Sequence, residues 1–155
     1  MITQRKYTLF ILPSLLLAIF LSAGCGSKEV APIDTNTVKK ELLGKTWICE
    51  TMFEREVAGD AQLTLEFLDD GSVKGSGGCN NFSGKYTLDG ENLTFGPMMS
   101  TKKACGPATD EQEFSFLSFL SQIKTMKVDG DELELYSEET PVPMSFSTDG
   151  GGFLW

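Results

Sequence analysis

Short runs of alternating apolar and polar residues dominate the chain beyond its first 40 positions. The clearest run is 62–68, in which Leu63, Leu65 and Phe67 alternate with polar residues. A period of two is typical of a strand with one buried face. Shorter runs of the same kind predict further strands around Trp47 and at 72–77, 84–88, 93–95, 126–128, 133–136 and 144–147.

Asp-Gly pairs at 70–71, 89–90 and 129–130 each lie between two of these predicted strands. An Asp-Gly pair between apolar alternations is a strong signal for a β-hairpin with a type I′ turn, which needs positive φ at both central residues. Three such hairpins along the chain predict an antiparallel meander.

One long helix is predicted after position 110. Asp110 is a suitable N-cap, and Glu113 three residues later completes a pattern like a capping box. An apolar stripe then follows at helical spacing, and it is formed by Phe116, Phe119, Leu120 and Ile123, widened by Phe114 and Leu117. We expect the stripe to pack on the sheet; an exposed helix for a partner or a membrane is the alternative.

A shorter helical turn is predicted at 37–43, where Gly44 ends it. Together these elements predict an α+β fold, an antiparallel, curled and barrel-like meander packed on one main α-helix.

The N-terminus has the three parts of a secretory signal. Arg5 and Lys6 supply its positive charge, an apolar run follows at 9–21, and small residues at 22–24 precede Cys25. A Cys directly after Ala-Gly resembles the bacterial lipobox, which predicts that the signal peptide 1–24 is removed and that Cys25 carries lipid. The alternative is an uncleaved transmembrane helix, for which about 20 apolar residues are needed.

Three further segments follow from this assignment. Residues 25–37 are polar and predict a flexible tether, residues 38–150 form the folded domain, and 151–155 form an apolar C-terminal tail. Two or more acyl chains at Cys25 would hold the domain stably at a membrane. Gly26 after the lipidated position favours the outer membrane, on its periplasmic face or its surface, if the cell is Gram-negative.

Charge and composition exclude several kinds of chemistry. The chain has 13 basic and 22 acidic residues, a net charge of −9 at pH 7, and such a surface repels the phosphates of nucleic acids. Histidine is absent from the sequence, which excludes histidine-based acid–base catalysis, histidine-containing triads and histidine-ligated metals. We predict no cofactor and no metal.

A long ordered motif lies in 75–105, with a Trp near the start of the domain. Its positions are Trp47, Gly78, Cys79, Asn80, Phe82, Gly84, Tyr86, Ser100, Thr101, Ala104 and Cys105. In this motif the chain resembles the META domain family, which includes the HslJ-type heat-shock lipoproteins. The resemblance covers about 42–147. It implies an α+β fold with antiparallel strands around a helix, and a role in the bacterial envelope under stress; it supplies no catalytic residues.

The cysteines and glycines of the motif have mainly structural interpretations. In an oxidising compartment Cys79 and Cys105 are candidates for a disulfide; free thiols, or Cys49 as the partner of one of them, remain alternatives. Cys49 itself is expected in the core. Glycines at 75, 77, 78 and 84 suit positive φ or close backbone approach, whereas a phosphate-binding loop would need a helix to follow.

Three functions remain open at this stage. The first is a non-enzymatic envelope lipoprotein that binds an unknown partner or buffers stress at the membrane. The second is a hydrolase using the carboxylates of Glu66 and Asp69 with Glu54 or Glu56, which would have to share one cleft. The third is a carrier holding a small apolar ligand inside the curled sheet. A copper(I) site of Met98, Met99 and Cys105 is a further alternative.

Overall fold

The structure, a computed structural model, describes residues 34–59 and 62–148. The predicted signal peptide 1–24, Cys25, the tether up to residue 33 and the tail 151–155 lie outside these residues.

Helices and strands follow one another in an order that places most strands before the long helix. The helices are α1 (Thr35–Leu42) and α2 (Pro107–Leu120). The strands are β1 (Trp47–Met52), β2 (Arg55–Glu56), β3 (Thr64–Phe67), β4 (Ser72–Ser76), β5 (Asn81–Asp89), β6 (Asn92–Phe95), β7 (Met99–Ser100), β8 (Ile123–Asp129), β9 (Glu132–Ser137) and β10 (Met144–Ser147).

Eight of these strands form a closed antiparallel barrel. Their order is β10-β9-β8-β6-β5-β4-β3-β1, and β10 pairs with β1 to close the ring. The short strands β2 and β7 pair with β1 and β5 beside the ring. Closure pairs the edges that an open sheet would leave exposed. The prediction of an antiparallel barrel-like sheet is confirmed. Two helices accompany it, the long helix α2 and the shorter α1, which overlaps the helical turn predicted at 37–43.

The three predicted hairpins are present, but their turns are not of type I′. Asp89 pairs with Asn92 and Asp129 pairs with Glu132, so the glycine is the first central residue of each two-residue loop. Gly90 and Gly130 both have φ of 58°. Phe53 is the one non-glycine with positive φ in the described ranges, so the second central residues have negative φ, as in type II′ turns.

The remaining hairpin, between β3 and β4, has a three-residue loop that ends in glycine. Leu68 and Ser72 bracket it, because the Leu68 N–H donates to the Ser72 carbonyl at 2.8 Å. Gly71 has φ of 75°, and three-residue hairpin loops require this left-handed conformation at their last position. In all three turns the glycine, and not the aspartate before it, adopts the unusual backbone conformation.

The barrel interior is filled by side chains from alternate strand positions and from the buried face of α2. Trp47, Phe67 and Phe116 are its largest fully buried members. The Trp47 indole Nε1 donates to the Leu42 carbonyl at 3.1 Å, which satisfies the polar atom of this buried ring. Because core side chains occupy the interior, the apolar ligand of the carrier alternative would have to bind elsewhere.

Helix α1 begins inside the segment predicted to be a flexible tether. Asp34 is its N-cap, and the carboxylate accepts from the Asn36 N–H at 3.3 Å. Val38 and Leu42 are buried, and the Thr35 hydroxyl accepts from the Gly90 N–H at 2.7 Å. The tether prediction is therefore wrong for residues 35–37, because capping and two buried positions one turn apart hold them in a helix.

Helix α2 begins one turn earlier than predicted and ends earlier too. Gly106 is its N-cap and Pro107 occupies the first turn, where the missing N–H of proline costs no hydrogen bond. Asp110 instead accepts from the Cys105 N–H at 3.0 Å, so its assignment as N-cap is wrong. Ile123 lies in β8 and not in the helix.

The two helices lie at opposite ends of strand β5. Asn80, just before β5, is hydrogen-bonded to α2 through Glu113, and Gly90, just after it, is hydrogen-bonded to α1. At about 3.3 Å per residue the nine residues of β5 extend over roughly 26 Å. One end of the barrel is therefore next to α1, where the chain enters from the N-terminal segment, and the other is covered by α2.

Candidate functional site

The motif residues meet at the α2 end of the barrel, around the side chain of Asn80. The Asn80 Oδ1 accepts from the Thr101 hydroxyl and the Lys103 N–H, both at 2.7 Å. Its Nδ2 donates to the Lys103 carbonyl at 3.1 Å and to Glu113 Oε1 at 3.0 Å. The amide thus makes all four of the hydrogen bonds that it is able to make. It fixes the 100–104 segment to α2.

Glu113 is buried beneath this segment and does not form the predicted capping box. Its Oε2 accepts from the Asn80 N–H at 2.7 Å. A Cβ on Gly77 would lie 2.6 Å from the Glu113 Cγ, so glycine is needed there for the carboxylate to enter. Gly78 next to it has φ of 93°. The predicted uses of these two glycines, close approach and positive φ, are present at this point.

A disulfide joins Cys79 to Cys105 beside the Asn80 network, with the two Cα atoms 5.9 Å apart. Of the pairings left open by the sequence, this is the one in the structure. We call the disulfide and the Asn80 hydrogen bonds together the clasp. Cys49 is buried in the core, and burial raises the pKa of its thiol well above the usual range.

The disulfide also decides the question of metal binding by these sulfur atoms. Cys79, Cys105 and the carboxylate of Asp110 lie within 4.8 Å of one another, but sulfur atoms joined to each other offer no thiolate ligand. The copper(I) alternative fails for the same reason, because Cys105 is oxidised. The Met98 side chain packs on the backbone of Gly84, where a Cβ would lie 2.4 Å from the Met98 sulfur.

The other motif residues lie in the barrel wall and core. Phe82 packs against Phe116 of α2 with ring centroids 5.9 Å apart. The Tyr86 hydroxyl donates to the Leu68 carbonyl at 2.9 Å. Ser100 in β7 lies opposite Phe82, and Ala104 is exposed. These residues build and hold the α2 end of the barrel.

A surface cleft of roughly 670 Å³ lies between α2 and the 95–100 segment; we call it the α2 cleft. Its apolar walls are formed by Phe95, Pro97, Met98, Phe114 and Leu117, and its charged lining residues are Asp110 and Glu113.

One exposed large apolar side chain lines the α2 cleft. Phe114 is 75% exposed there, whereas Met99 of β7, which is 73% exposed, lies opposite the exposed Ser83 and is not among the lining residues. These are the exposed large hydrophobic side chains of the described ranges. The placement of Phe114 in the core-facing stripe was wrong, because α2 buries the face of Phe116 and Leu120 and leaves Phe114 outside.

Two smaller clefts lie on either side of the helix. A polar cleft of roughly 280 Å³ lies over the clasp and includes Lys102 and Lys103. Another, of roughly 230 Å³, lies between α2 and the β1–β2 region and includes Glu56 and Glu111.

The four carboxylates suggested for a hydrolase are not brought together. Glu66 pairs with Lys74 at 3.1 Å across β3 and β4, and Asp69 pairs with Lys39 of α1 at 2.6 Å. Glu54 and Glu56 are exposed around the β1–β2 hairpin. The sequence could not place these groups, and the register of the barrel separates them.

The fold and the clasp define a class of small disulfide-linked antiparallel barrels with one end covered by a helix. The META domain family model matches residues 40–149, which is most of the chain, and the chain belongs to this family. The resemblance read from the motif is confirmed. A comparison with curated proteins finds no match.

Solved structures share the fold at low sequence identity. A protein from Burkholderia xenovorans, solved by NMR, is 19% identical with a TM-score of 0.60, covering 94% of this chain and 97% of that one. A second NMR structure is 20% identical with a TM-score of 0.56, over 70% and 92%. A crystal structure of a DUF4847 family protein from Bacteroides vulgatus ATCC 8482 is 14% identical with a TM-score of 0.58, over 74% and 99%.

None of the helices in 34–59 and 62–148 combines the length and the apolar character required to cross a membrane.

Proposed function

We propose that this META domain protein is a non-enzymatic envelope lipoprotein, anchored through lipid on Cys25, that binds a protein partner at the α2 cleft. The observation that carries the binding role is the 75% exposure of Phe114 in the wall of a cleft that is also lined by Phe95, Pro97, Met98 and Leu117. An exposed large apolar side chain next to further apolar groups is typical of interaction sites.

The anchoring role is supported by the chain's own arrangement. The signal-like N-terminus and Cys25 precede α1, and α1 lies at the end of β5 away from α2. In sequence, a lipid at Cys25 would therefore lie shortly before α1 and far from α2. Family membership supports the association with the envelope and with stress.

The non-enzymatic role is supported by the chemistry at hand. The sequence has no histidine, the carboxylates of Glu66 and Asp69 are paired with different lysines, and the buried Glu113 accepts two hydrogen bonds from Asn80. The glycine-rich segment leads into strand β5 and not into a helix, which is unlike a phosphate-binding loop.

Site-specific photo-crosslinking in intact cells tests this proposal. A photoreactive residue in place of Phe114 is expected to give one dominant protein adduct. The matched control carries the same residue in place of Lys40, which is exposed on α1, and is expected to give none of that adduct. Equal adducts from both positions, or none from position 114, would count against a partner at the α2 cleft.

A further inference from the structure

The lining of the α2 cleft indicates the chemistry of its occupant. Resting on the proposed function, we infer that the partner inserts an extended polypeptide segment in which a lysine or arginine side chain stands among apolar ones. The cleft size, its charge and the neighbouring strand edge each support one part of this inference.

The volume and walls of the cleft fit a few side chains of a partner. Roughly 670 Å³ lies within the usual range of about 300–1,000 Å³ for ligand sites. Phe114 and Leu117 of α2 face Phe95, Pro97 and Met98 across it, so two opposed apolar surfaces are available. Burying an exposed aromatic ring such as Phe114 between apolar partner groups contributes favourably to association.

The charge of the lining favours a cation. Asp110 and Glu113 line the cleft, and its lining includes no lysine or arginine. Lys102 and Lys103 line the adjoining polar cleft, which shares Asp110 and Glu113 with the α2 cleft. A guanidinium or ammonium group entering from the partner would meet the exposed carboxylate of Asp110. Glu113 is buried and its two oxygens accept from Asn80, so it adds negative charge to the lining without offering a free carboxylate. A partner carboxylate or phosphate would meet like charge instead, which selects against acidic peptides.

The backbone beside the cleft favours a polypeptide over a small organic cation or a lipid. Strand β7 contributes Ser100 to the lining, and within the described pairings β7 is paired with β5 alone. An extended segment is therefore able to add along β7, with alternate side chains directed into the cleft. Ser118 and Ser121 on the opposite wall offer hydroxyls to its remaining polar groups.

The clasp keeps both walls in place before the partner arrives. Asn80 ties the 100–104 segment to Glu113 on α2, and the disulfide joins Cys105, the residue after this segment, to Cys79, two residues before β5. Met98 packs closely over Gly84 on the other wall. A preformed site loses less conformational entropy on binding than one that has to be ordered.

Binding of designed peptides to the full-length protein in detergent tests the inference. The probes are dye-labelled eight-residue peptides of alternating leucine and lysine, leucine and asparagine, or leucine and glutamate, measured by fluorescence anisotropy at physiological ionic strength. We expect the lysine peptide to bind most tightly and the glutamate peptide not to bind.

Three variants separate the cleft from the general negative charge of the chain. Asp110→Asn removes the charge but keeps the oxygen that accepts from the Cys105 N–H. We expect it to weaken binding of the lysine peptide by about fivefold. Phe114→Ser is expected to weaken it by about tenfold. Glu111→Gln makes the same charge change on the same helix but outside the cleft, and is expected to change affinity by less than about twofold.

Each other outcome overturns the inference in a distinguishable way. Equal losses of affinity in Asp110→Asn and Glu111→Gln would mean that the overall negative charge of the protein attracts the peptide. Equal binding of the lysine and asparagine peptides would mean that the cleft does not select a cation. Self-association abolished by Phe114→Ser would make the occupant a second copy. If no peptide binds while crosslinking from position 114 still yields a partner, the polypeptide chemistry is wrong and the proposed function stands; if both fail, both are wrong.

Discussion

Removing the Asn80 side chain should destabilise the barrel far more than removing its neighbour. Asn80→Ala deletes four side-chain hydrogen bonds, to Thr101, to Glu113 and two to the backbone of Lys103. Each contributes about 1 kcal/mol net, and more where a buried charged partner loses its donor. Because Thr101 and Lys103 are exposed enough to recover water, we expect a loss of about 3 kcal/mol in the free energy of unfolding.

The assay is urea denaturation of the oxidised full-length protein, with Asn81→Ala as the matched control. Asn81 is the next residue and is exposed, so its truncation should cost less than about 0.5 kcal/mol. A loss below about 1 kcal/mol for Asn80→Ala, or equal losses for both variants, would refute the view that Asn80 holds the α2 end together.

Asn80→Asp sharpens the same test through its pH dependence. The introduced carboxyl has no donor for Glu113 Oε1, 3.0 Å from the amide nitrogen that it replaces, so the two carboxylates repel each other. That repulsion raises the pKa of the introduced group in the folded state above its usual value of about 3.9. The folded variant then binds more protons than the unfolded chain, so its deficit should grow as the pH rises above about 4 and shrink below it. A deficit that is independent of pH would contradict the contact.

Three further predictions concern the helix and the cysteines. Phe116→Ala should cost about 3–5 kcal/mol of unfolding free energy because Phe116 is fully buried, whereas Phe114→Ser should change it by less than about 0.5 kcal/mol; similar losses in denaturation would show that the helix face is misassigned. Replacing Cys79 and Cys105 together by serine should cost about 3.5 kcal/mol, from a sequence separation of 26 residues, and an unchanged urea midpoint would contradict this. Cys49 should resist iodoacetamide in the native protein, since burial raises its thiol pKa, and react once urea unfolds it; rapid native labelling would show that the core is open.

The hairpins were predictable because their signals are local. Asp-Gly pairs located all three turns, and β10 matches the predicted strand at 144–147. The turn type was wrong because the loop residues depend on where strand pairing stops, and pairing continues through Asp89 and Asp129. Closure of the barrel by β1 and β10, which are separated by nearly the whole domain, leaves no trace in local alternation.

The helix boundaries and the contacts of the site were only partly predictable from the sequence. The helical turn predicted at 37–43 overlaps most of α1, in which Val38 and Leu42 lie one turn apart, but the cap Asp34 and the first residues of the helix were assigned to the tether. Phe114 and Phe116 are two residues apart on α2, and composition alone does not say which one faces the core. Burial of Glu113 depends on Asn80, 33 positions earlier, a long-range contact that periodicity does not reveal.

The central claim is that lipid on Cys25 tethers the barrel to a membrane. Intact-mass measurement of the protein purified from the membranes of its own cells tests this most directly. We expect a polypeptide that lacks residues 1–24 and carries the added mass of acyl chains at Cys25, and Cys25→Ser should abolish both. Retained leader residues, or an unmodified thiol at position 25, would contradict the anchoring while leaving the family assignment intact.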